Sequence, residues 1–359
     1  MSLATSSERS ALSALDVDDL HVTFGNPRRG SLIRAVDGVS FSVRRGEIFG
    51  VIGESGSGKS TLGRCLVGLL SPSGGGVLHD GVDPFKFSRR ELNRHRRKYQ
   101  IVSQDPNAAF DPRMTILQSI CEPLNIAGEG TKAERREKAF AMLDRVSLAA
   151  EMANRYPHEI SGGQKQRANI ARALMLDPNV IVCDEVVAAL DVSIQADMLN
   201  LFARLQEQFG LTYVFISHDL RVVSHISDRV AVMYFGKIVE VGPAHAVIET
   251  PLHPYTEALR SAEPDIDPTA ADARQRIILQ GEIPSAIAPP SGCRFHTRCP
   301  RVRDICRTQE PQQRQLLPGR HVACHFAEEM LGEKERRSLD PAERDGAHQT
   351  AAAQGADMM

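Results

Sequence analysis

The chain has 359 residues, 42% hydrophobic and 25% charged, with a formal net charge of −2; that length suits one large domain with an appendage rather than a single compact core. The composition is that of an ordinary soluble globular protein, and the near-neutral balance gives no reason to expect nucleic acid as the main partner. No apolar run approaches the ~20 residues needed to span a bilayer, and "MSLATSSERSALSALD" lacks the basic start and apolar stretch of a secretory signal, so the chain is expected in the cytosol, with any membrane role exercised through other subunits.

In chain order, residues 1–15 read as a mobile arm. "DLHVTF" and "AVDGVSFSV" alternate apolar and polar residues as half-buried strands do. "EIFGVIG" is a continuous apolar run, as in a strand buried on both faces. A glycine-rich loop follows, then a helix from about Lys59 to Leu70. The charged stretch 89–98, "RRELNRHRRK", reads as a solvated helix face, with nucleic-acid binding as the alternative. "YQIVSQ" (99–104) is a further strand, and residues 114–177 are mostly helical with a break at "RYPHEISGG". "NVIVCDE" (179–185) and "TYVFISHD" (212–219) are buried strands. The helix between them stops on Gly210. "RVAVMYFGKIVEVG" is a hairpin turning at Gly236–Lys237. Alternating strand and helix predict a parallel sheet covered by helices, with antiparallel strands from the N-terminal part. The pattern breaks after about residue 262, and from about residue 328 the charged, then alanine- and glutamine-rich, composition predicts disorder.

"GESGSGKST" (53–61) fits G-x-x-x-x-G-K-[ST] as Gly53, four residues, then Gly58, Lys59 and Ser60. It lies between a buried strand and a helix, as a phosphate loop requires. Its glycines let successive N–H groups turn inward on an anion, and the helix adds its positive end. Lys59 brings a full charge to terminal phosphates, and the Ser60 hydroxyl suits Mg²⁺. A glycine-rich turn with a chance lysine is the plain alternative, and the flanking elements speak against it. Asp184 and Glu185 end the strand "VIVCDE", where one carboxylate can hold Mg²⁺ through water and the next can polarise an attacking water. "SGGQ" (161–164) places two glycines at a helix mouth, a second anion-binding terminus. Gln104 and His218 are polar groups just after strands. Taken alone, the acidic strand end is as readily a solvated strand end and the glycines a plain helix start, while Gln104 and His218 would each more often be structural.

Together and in this order the stretches resemble the ATP-binding subunit of ABC transporters, over roughly residues 16–326. The resemblance implies an α/β P-loop NTPase fold of the ABC type, with a parallel core sheet, an antiparallel β subdomain, a helical subdomain at about 105–177 and a small C-terminal cysteine-containing extension. Its implied domains are an ATPase at 16–262, the extension at 263–327 and a tail at 328–359. "GESGSGKST" is similar to the Walker A loop, so Gly53, Glu54, Ser55, Gly56, Ser57, Gly58, Lys59, Ser60 and Thr61 are expected on ATP. Gln104 resembles the Q-loop glutamine and Ser161, Gly162, Gly163 and Gln164 the signature motif. Asp184 resembles the Walker B aspartate, Glu185 the catalytic base, Asp191 the D-loop residue and His218 the switch histidine. Phe24 takes the place of the aromatic that stacks on adenine, although a strand phenylalanine is otherwise core. The implied Mg²⁺ ligands are Ser60, Gln104 and Asp184. The family pattern D-E-P-T-S-A-L-D reads "DEVVAALD" (184–191) here, with Val186 for proline and Ala188 for serine. Both carboxylates survive, so hydrolysis is expected; the lost hydroxyl puts coupling between two sites in question.

"HPYTEAL" (253–259), "GEIPS" (281–285), "GCRFHTRCP" (292–300) and "VACH" (322–325) resemble the C-terminal extension of oligopeptide/dipeptide importer ATPases. That group works with two membrane permeases, an extracytoplasmic solute-binding protein and a second ATPase subunit, the same or related. The implied place is the cytoplasmic face of the inner membrane, peripherally. Some members carry a [4Fe–4S] cluster in the extension, for which Cys293, Cys299, Cys306 and Cys324 would serve. Intervals of five, six and seventeen residues contain no C-x-x-C pair, so the zinc signal is weak, and free or structural thiols and zinc stay open beside iron–sulfur. Two other functions compete with import. A non-transport ABC ATPase of DNA repair or translation would carry an inserted coiled coil or two ATPase units in one chain. A soluble P-loop kinase would lack the signature motif.

Overall fold

The computed structural model describes residues 13–26, 31–188, 190–262, 277–281, 285, 287 and 289–332. The chain divides into two compact units, residues 1–237 with 285–288, and residues 238–284 with 289–359. The division falls upstream of the boundary at 262 expected from composition.

In the first unit, β1 (Ser13–Asn26) pairs antiparallel with β2 (Ser31–Arg44) and with β4 (Gly74–His79), giving a three-stranded sheet of order β2-β1-β4. β1 starts inside the stretch read as an arm, because Ala14 and Leu15 are 2% and 0% exposed and belong to the core; residues 1–12 of that arm lie outside the described residues. The second sheet holds β3 (Ile48–Ile52), β5 (Tyr99–Val102), β6 (Val180–Asp184), β7 (Thr212–Ser217) and β8 (Arg229–Tyr234) in the order β8-β3-β7-β6-β5. These five strands are part of an eight-stranded sheet, and every pair of neighbours among the five runs parallel. β3, β6 and β7 are buried at every residue, as strands covered by helices on both faces must be.

Helix α1 (Lys59–Leu66) follows the glycine loop and ends early, at Gly68 with φ 71, rather than at Leu70. α2 (Arg89–His95) buries no residue and starts on a Ser88–Glu91 capping box, the solvated helix that its charge run predicts. α3 (Ile116–Ala127), α4 (Lys132–Arg145) and α5 (Gly162–Leu174) form a helical layer. Their apolar faces join the main core, with Ile120, Leu143 and Ile170 in one cluster with Phe202 and Phe215. α6 (Val192–Phe209) stops at Gly210 in the left-handed region, and α7 (Leu220–Ile226) leads into β8.

In the second unit, β9 (Lys237–Pro243) pairs antiparallel with β11 (Arg320–Val322), which pairs with β10 (Arg314–Leu317). Helices α8 (Ala244–Glu249), α9 (Pro254–Ser261) and α10 (Asp304–Thr308) complete the unit. A buried ion pair joins these pieces: Arg320 donates to Glu240 Oε1 at 2.8 Å, while Glu240 also accepts from the N–H groups of Leu252 and His253. This is why residues 238–262 fold with the C-terminal segment. The ordered chain runs past 328, since Leu331 is 4% exposed and packs with Leu252 and Val322; the rest of the expected tail, 333–359, lies outside the described residues.

Candidate active site

Strand register alone brings four separated stretches to one end of the parallel sheet. Ile52 of β3 pairs with Ser217 of β7, Asp184 of β6 with Ile216, and Val102 of β5 with Cys183. Gly53, His218, Glu185 and Gln104 therefore emerge side by side just past the carboxyl ends, where open α/β sheets bind their ligands.

The loop between β3 and α1 is fixed by its glycines. A Cβ on Gly53 would lie 2.1 Å from the Met233 carbonyl oxygen, and one on Gly58, at φ 105, 2.0 Å from that of Ala35. Gly236 N–H donates to Ser57 O at 2.8 Å, and Asp37 N–H to Gly236 O at 2.9 Å. The β8–β9 turn thus ties the loop to β2. Of the loop residues, Ser57 and Lys59 are buried, Glu54, Ser60 and Thr61 half-buried, and Ser55 and Gly56 exposed. The Lys59 ammonium donates to Gly53 O at 2.7 Å and Glu54 O at 2.9 Å. Burial holds its pKa below the ordinary lysine value, against the opposing pull of Glu185, Asp184 and Glu54. The loop therefore surrounds a buried lysine with little water to solvate it, an environment favouring an anion.

Ser60 Oγ donates to Asp184 Oδ1 at 2.9 Å. Burial raises the Asp184 pKa, and the Ser60 bond works the other way. Hydroxyl and carboxylate oxygens paired beside the loop suit a hard cation such as Mg²⁺, which takes one or two protein oxygens and keeps its other positions for phosphate and water. Glu185 sits at φ 52, strained for a non-glycine residue. Its carboxylate Oε1 is 3.5 Å from His218 Nδ1. His218 is exposed between two braces: Asp219 N–H donates to Ser217 Oγ at 3.0 Å, and the Asp219 carboxylate caps α7.

The remaining expected residues sit on other elements. Gln104 is exposed, two residues beyond β5. Ser161 and Gln164 bond one another in a capping box at the start of α5, with Gly162 and Gly163 on the first turn. Lys165 Nζ donates to Asn107 Oδ1 at 2.8 Å, which fastens that helix end to the loop after Gln104. Asp191 occupies the N-cap of α6 and makes no side-chain cap bond. Phe24 pairs with Ile33 on the antiparallel sheet, and the two are 43% and 37% exposed. Ile33 is two residues from Ala35, whose carbonyl abuts Gly58, so this apolar pair is close to the phosphate loop by connectivity. The braces from Met233, Gly236 and Ala35 went unread in the sequence, since each acts through backbone atoms and carries no residue signature.

In the second unit, Cys293, Cys299, Cys306 and Cys324 line one small cavity of about 20 Å³ with His253, Phe295 and Phe326 among its walls. All seven cysteines are unpaired. Burial pushes the Cys293 thiol up to about 12 and the Cys324 thiol to about 11, with neighbouring thiols adding to both shifts. Among the described residues no group of three or more histidine, cysteine, aspartate or glutamate side chains is arranged to hold a metal ion.

Comparison with known proteins agrees with this geometry. A family profile described as ABC transporter matches residues 36–188, and one described as the oligopeptide/dipeptide transporter C-terminal region matches residues 239–306. The first spans the phosphate loop, Gln104, the "SGGQ" turn, Asp184 and Glu185; the second spans three of the four clustered cysteines. The oligopeptide transport ATP-binding protein AppF of Bacillus subtilis is 51% identical over 295 residues, 82% of this chain and 90% of its own. CbiO1 of Clostridium perfringens, part of the ABC transporter complex CbiONQ, superposes with a TM-score of 0.60 at 27% identity, covering 67% of this chain and 93% of its own. The ATP-binding cassette MJ0796, solved as a dimer in a post-hydrolysis state with ADP and Pi, gives 0.59 at 30% identity, over 64% of this chain and 98% of its own. The chain therefore belongs to the ATP-binding proteins of ABC transporters, in the group that carries the oligopeptide/dipeptide transporter C-terminal region.

Proposed function

We propose that this protein is the ATP-hydrolysing subunit of an ABC importer, acting peripherally at the cytoplasmic face of the membrane to energise uptake of oligopeptides, dipeptides or a similar small solute. The observation that carries this reading is the tandem of an ATP-binding cassette and the oligopeptide/dipeptide C-terminal region on one chain. A DNA-repair or translation ATPase would have no use for the second part. ATPase chemistry is assigned to the part of residues 16–262 that lies in the first unit, and the importer-type role to 263–327 together with the 238–262 segment that folds with it.

The loop Gly53–Thr61 holds the phosphates of ATP, with Lys59 exchanging its carbonyl partners for phosphate oxygens and Phe24 stacking on the base. Ser60, Asp184 and Gln104 would hold Mg²⁺, whose charge neutralises that developing on the phosphates. Glu185 orients and polarises the attacking water, and His218, 3.5 Å away, holds the same region from the next strand. Ser161, Gly162, Gly163 and Gln164 serve the ATP of a second subunit, same or related, with Asp191 at the seam. ATP then joins two subunits and its cleavage releases them. Two permeases and an extracytoplasmic solute-binding protein complete the assembly. The surface we assign to a permease is an open groove of about 1060 Å³ lined by Arg89, Arg90, Arg94, Arg97 and Ile126. Ile126, 80% exposed, offers an apolar seat within a basic rim. For the cysteine cavity, an iron–sulfur cluster would take its four thiolates from Cys293, Cys299, Cys306 and Cys324, although the described residues form no metal-holding group. The cavity's room is about that of one water, too little for a four-iron cluster in this arrangement.

The function is tested with the chain reconstituted with its permeases in liposomes. Peptide uptake should require ATP and vanish in Lys59→Ala and Glu185→Gln, the first losing nucleotide binding and the second only turnover. ATP-driven uptake that survives Glu185→Gln would overturn the assigned chemistry. Iron and acid-labile sulfide in anaerobically purified protein test the cluster; active, colourless, metal-free protein removes it.

A further inference from the structure

The turn that carries Glu185 is held by a side chain with no role so far. Glu185 lies at φ 52, a conformation that persists in a non-glycine residue only where its surroundings over-determine it. Its N–H donates to Ile216 O at 2.9 Å, and Ala188 N–H donates back to its carbonyl at 3.1 Å. Val186 and Val187, next in the chain, are 3% and 1% exposed and packed into the main core. The Val187 carbonyl then accepts twice, from Leu190 N–H at 3.2 Å and from the side-chain amide of Gln195, Nε2, at 3.0 Å. Gln195 stands in the first turn of α6, where its own N–H donates to Asp191 O at 2.8 Å.

We propose that Gln195 is a positioning residue for ATP hydrolysis: its amide pins the turn bearing Glu185 to the start of α6, and so ties the water-orienting carboxylate to Asp191. This rests on the reading of Glu185 given above. Ala188 has no polar side-chain atom, and the Gln195 amide supplies a side-chain hydrogen bond between turn and helix. Loosening the bond would leave ATP held, because the phosphate loop is braced separately by Met233, Gly236 and Ala35, while Glu185 would leave the orientation its strain defines. Misplacement of that kind lowers kcat and leaves binding intact.

The test is MgATP hydrolysis by the full-length protein. Gln195→Met keeps length and loses the donor. It should lower kcat about five- to tenfold, the effect of one lost hydrogen bond, with KM and the melting temperature little changed. Gln195→Glu separates orientation from packing. Its carboxylate cannot donate to the Val187 carbonyl, but the protonated acid can. The ratio of Gln195→Glu to wild-type rate should therefore rise as pH falls from ~8 towards ~5, approaching the carboxyl range, while the Gln195→Met ratio stays flat. Wild-type kcat in Gln195→Met, or a flat ratio for Gln195→Glu, overturns the proposal. Should Gln195→Met prove unstable, the Gln195→Glu ratio still decides. An inactive Glu185→Gln beside a fully active Gln195→Met sinks this inference alone; an active Glu185→Gln sinks the reading beneath it.

Discussion

The phosphate-loop end of the first unit and the cysteine cavity of the second both gather residues far apart in sequence, by different physical means. In the first, parallel register does the gathering: Gly53, Gln104, Glu185 and His218 follow strands whose ladders fix their level to within a residue. In the second, turns do it. Cys293 N–H donates to Cys306 O at 2.9 Å, His296 N–H to Cys293 O at 3.0 Å and Val302 N–H to Cys299 O at 3.3 Å. The electrostatics differ as well. Lys59 and Asp184 are both drawn towards neutrality by burial yet face one another's charge, an arrangement ready for a bound anion and cation together. Cys293, Cys299 and Cys324 are all raised, chiefly by burial. A site built on many ladder bonds should tolerate side-chain changes and fail on backbone ones; a site built on turns should depend on a few buried side chains.

The largest expected effect breaks the first half of that contrast. Gly58→Ala puts a Cβ 2.0 Å from a backbone oxygen at φ 105, so the loop must move and nucleotide affinity should fall by about a hundredfold or more, the loss of a charge-assisted phosphate cradle. Gly56→Ala is the matched control. Its φ of 79 is also left-handed, but the added atom meets nothing within 4 Å, so the cost should be about 1 kcal/mol of stability with ATP still bound. Nucleotide titration and melting of both variants read the difference. Equal affinity in the two would show that the backbone cradle does not set binding.

The same contrast explains what could be read in advance. β3, β6 and β7 were legible because strands buried on both faces are unbroken apolar runs, and α2 because a charge run with no apolar stripe reads as a solvated helix face. β4 was missed: "GGGVLH" has little strand propensity, and it pairs only because β1 offers an open side from Leu15 to His21. The short hairpin of β10 and β11 was missed for the same reason. The site motifs were legible as residue types at fixed spacing. The carbonyl braces on Gly53 and Gly58 were not, because any residue supplies a carbonyl. Nor was the grouping of residues 238–262 with the C-terminal segment, which hangs on Glu240 meeting Arg320 across a separation in sequence that no periodicity reports.

That ion pair gives the next effect and sharpens the second half of the comparison. Glu240 and Arg320 are 0% and 2% exposed, and burial raises the Glu240 pKa although Arg320 opposes it. Arg320→Met leaves a carboxylate buried without its partner and should cost the second unit about 3–5 kcal/mol. Glu240→Leu with Arg320→Met removes both charges and should cost less than the single change. Hydrogen exchange should show lost protection in β9 and β11 while ATP binding in the first unit persists. A double variant as unstable as the single one would mean the pair matters for its shape rather than its charge.

The smallest effect is a pH dependence that each unit carries through its own buried imidazole. His253 is 1% exposed, its Nδ1 accepts from Tyr255 N–H at 3.0 Å, and burial lowers its pKa to about 3. His79 in the first unit is likewise lowered to about 3 by burial and by the charge of His95, whose Nε2 lies 2.9 Å from His79 Nδ1. Between the unfolded value of ~6.5 and the folded value of about 3, the unfolded chain binds a proton that the native one refuses. The stability is therefore whole above that window and drains away as pH falls through it, at on the order of 1 kcal/mol per pH unit for each histidine. His253→Asn keeps an acceptor for the Tyr255 N–H at the N-cap of α9 and cannot titrate. Exchange protection in the second unit should then fall between pH ~7.5 and ~5 in the wild type and hold steady in the variant, while the first unit, which keeps His79, falls in both. An unchanged acid slope in the second unit of His253→Asn would place the titrating group elsewhere and remove the parallel between the two units.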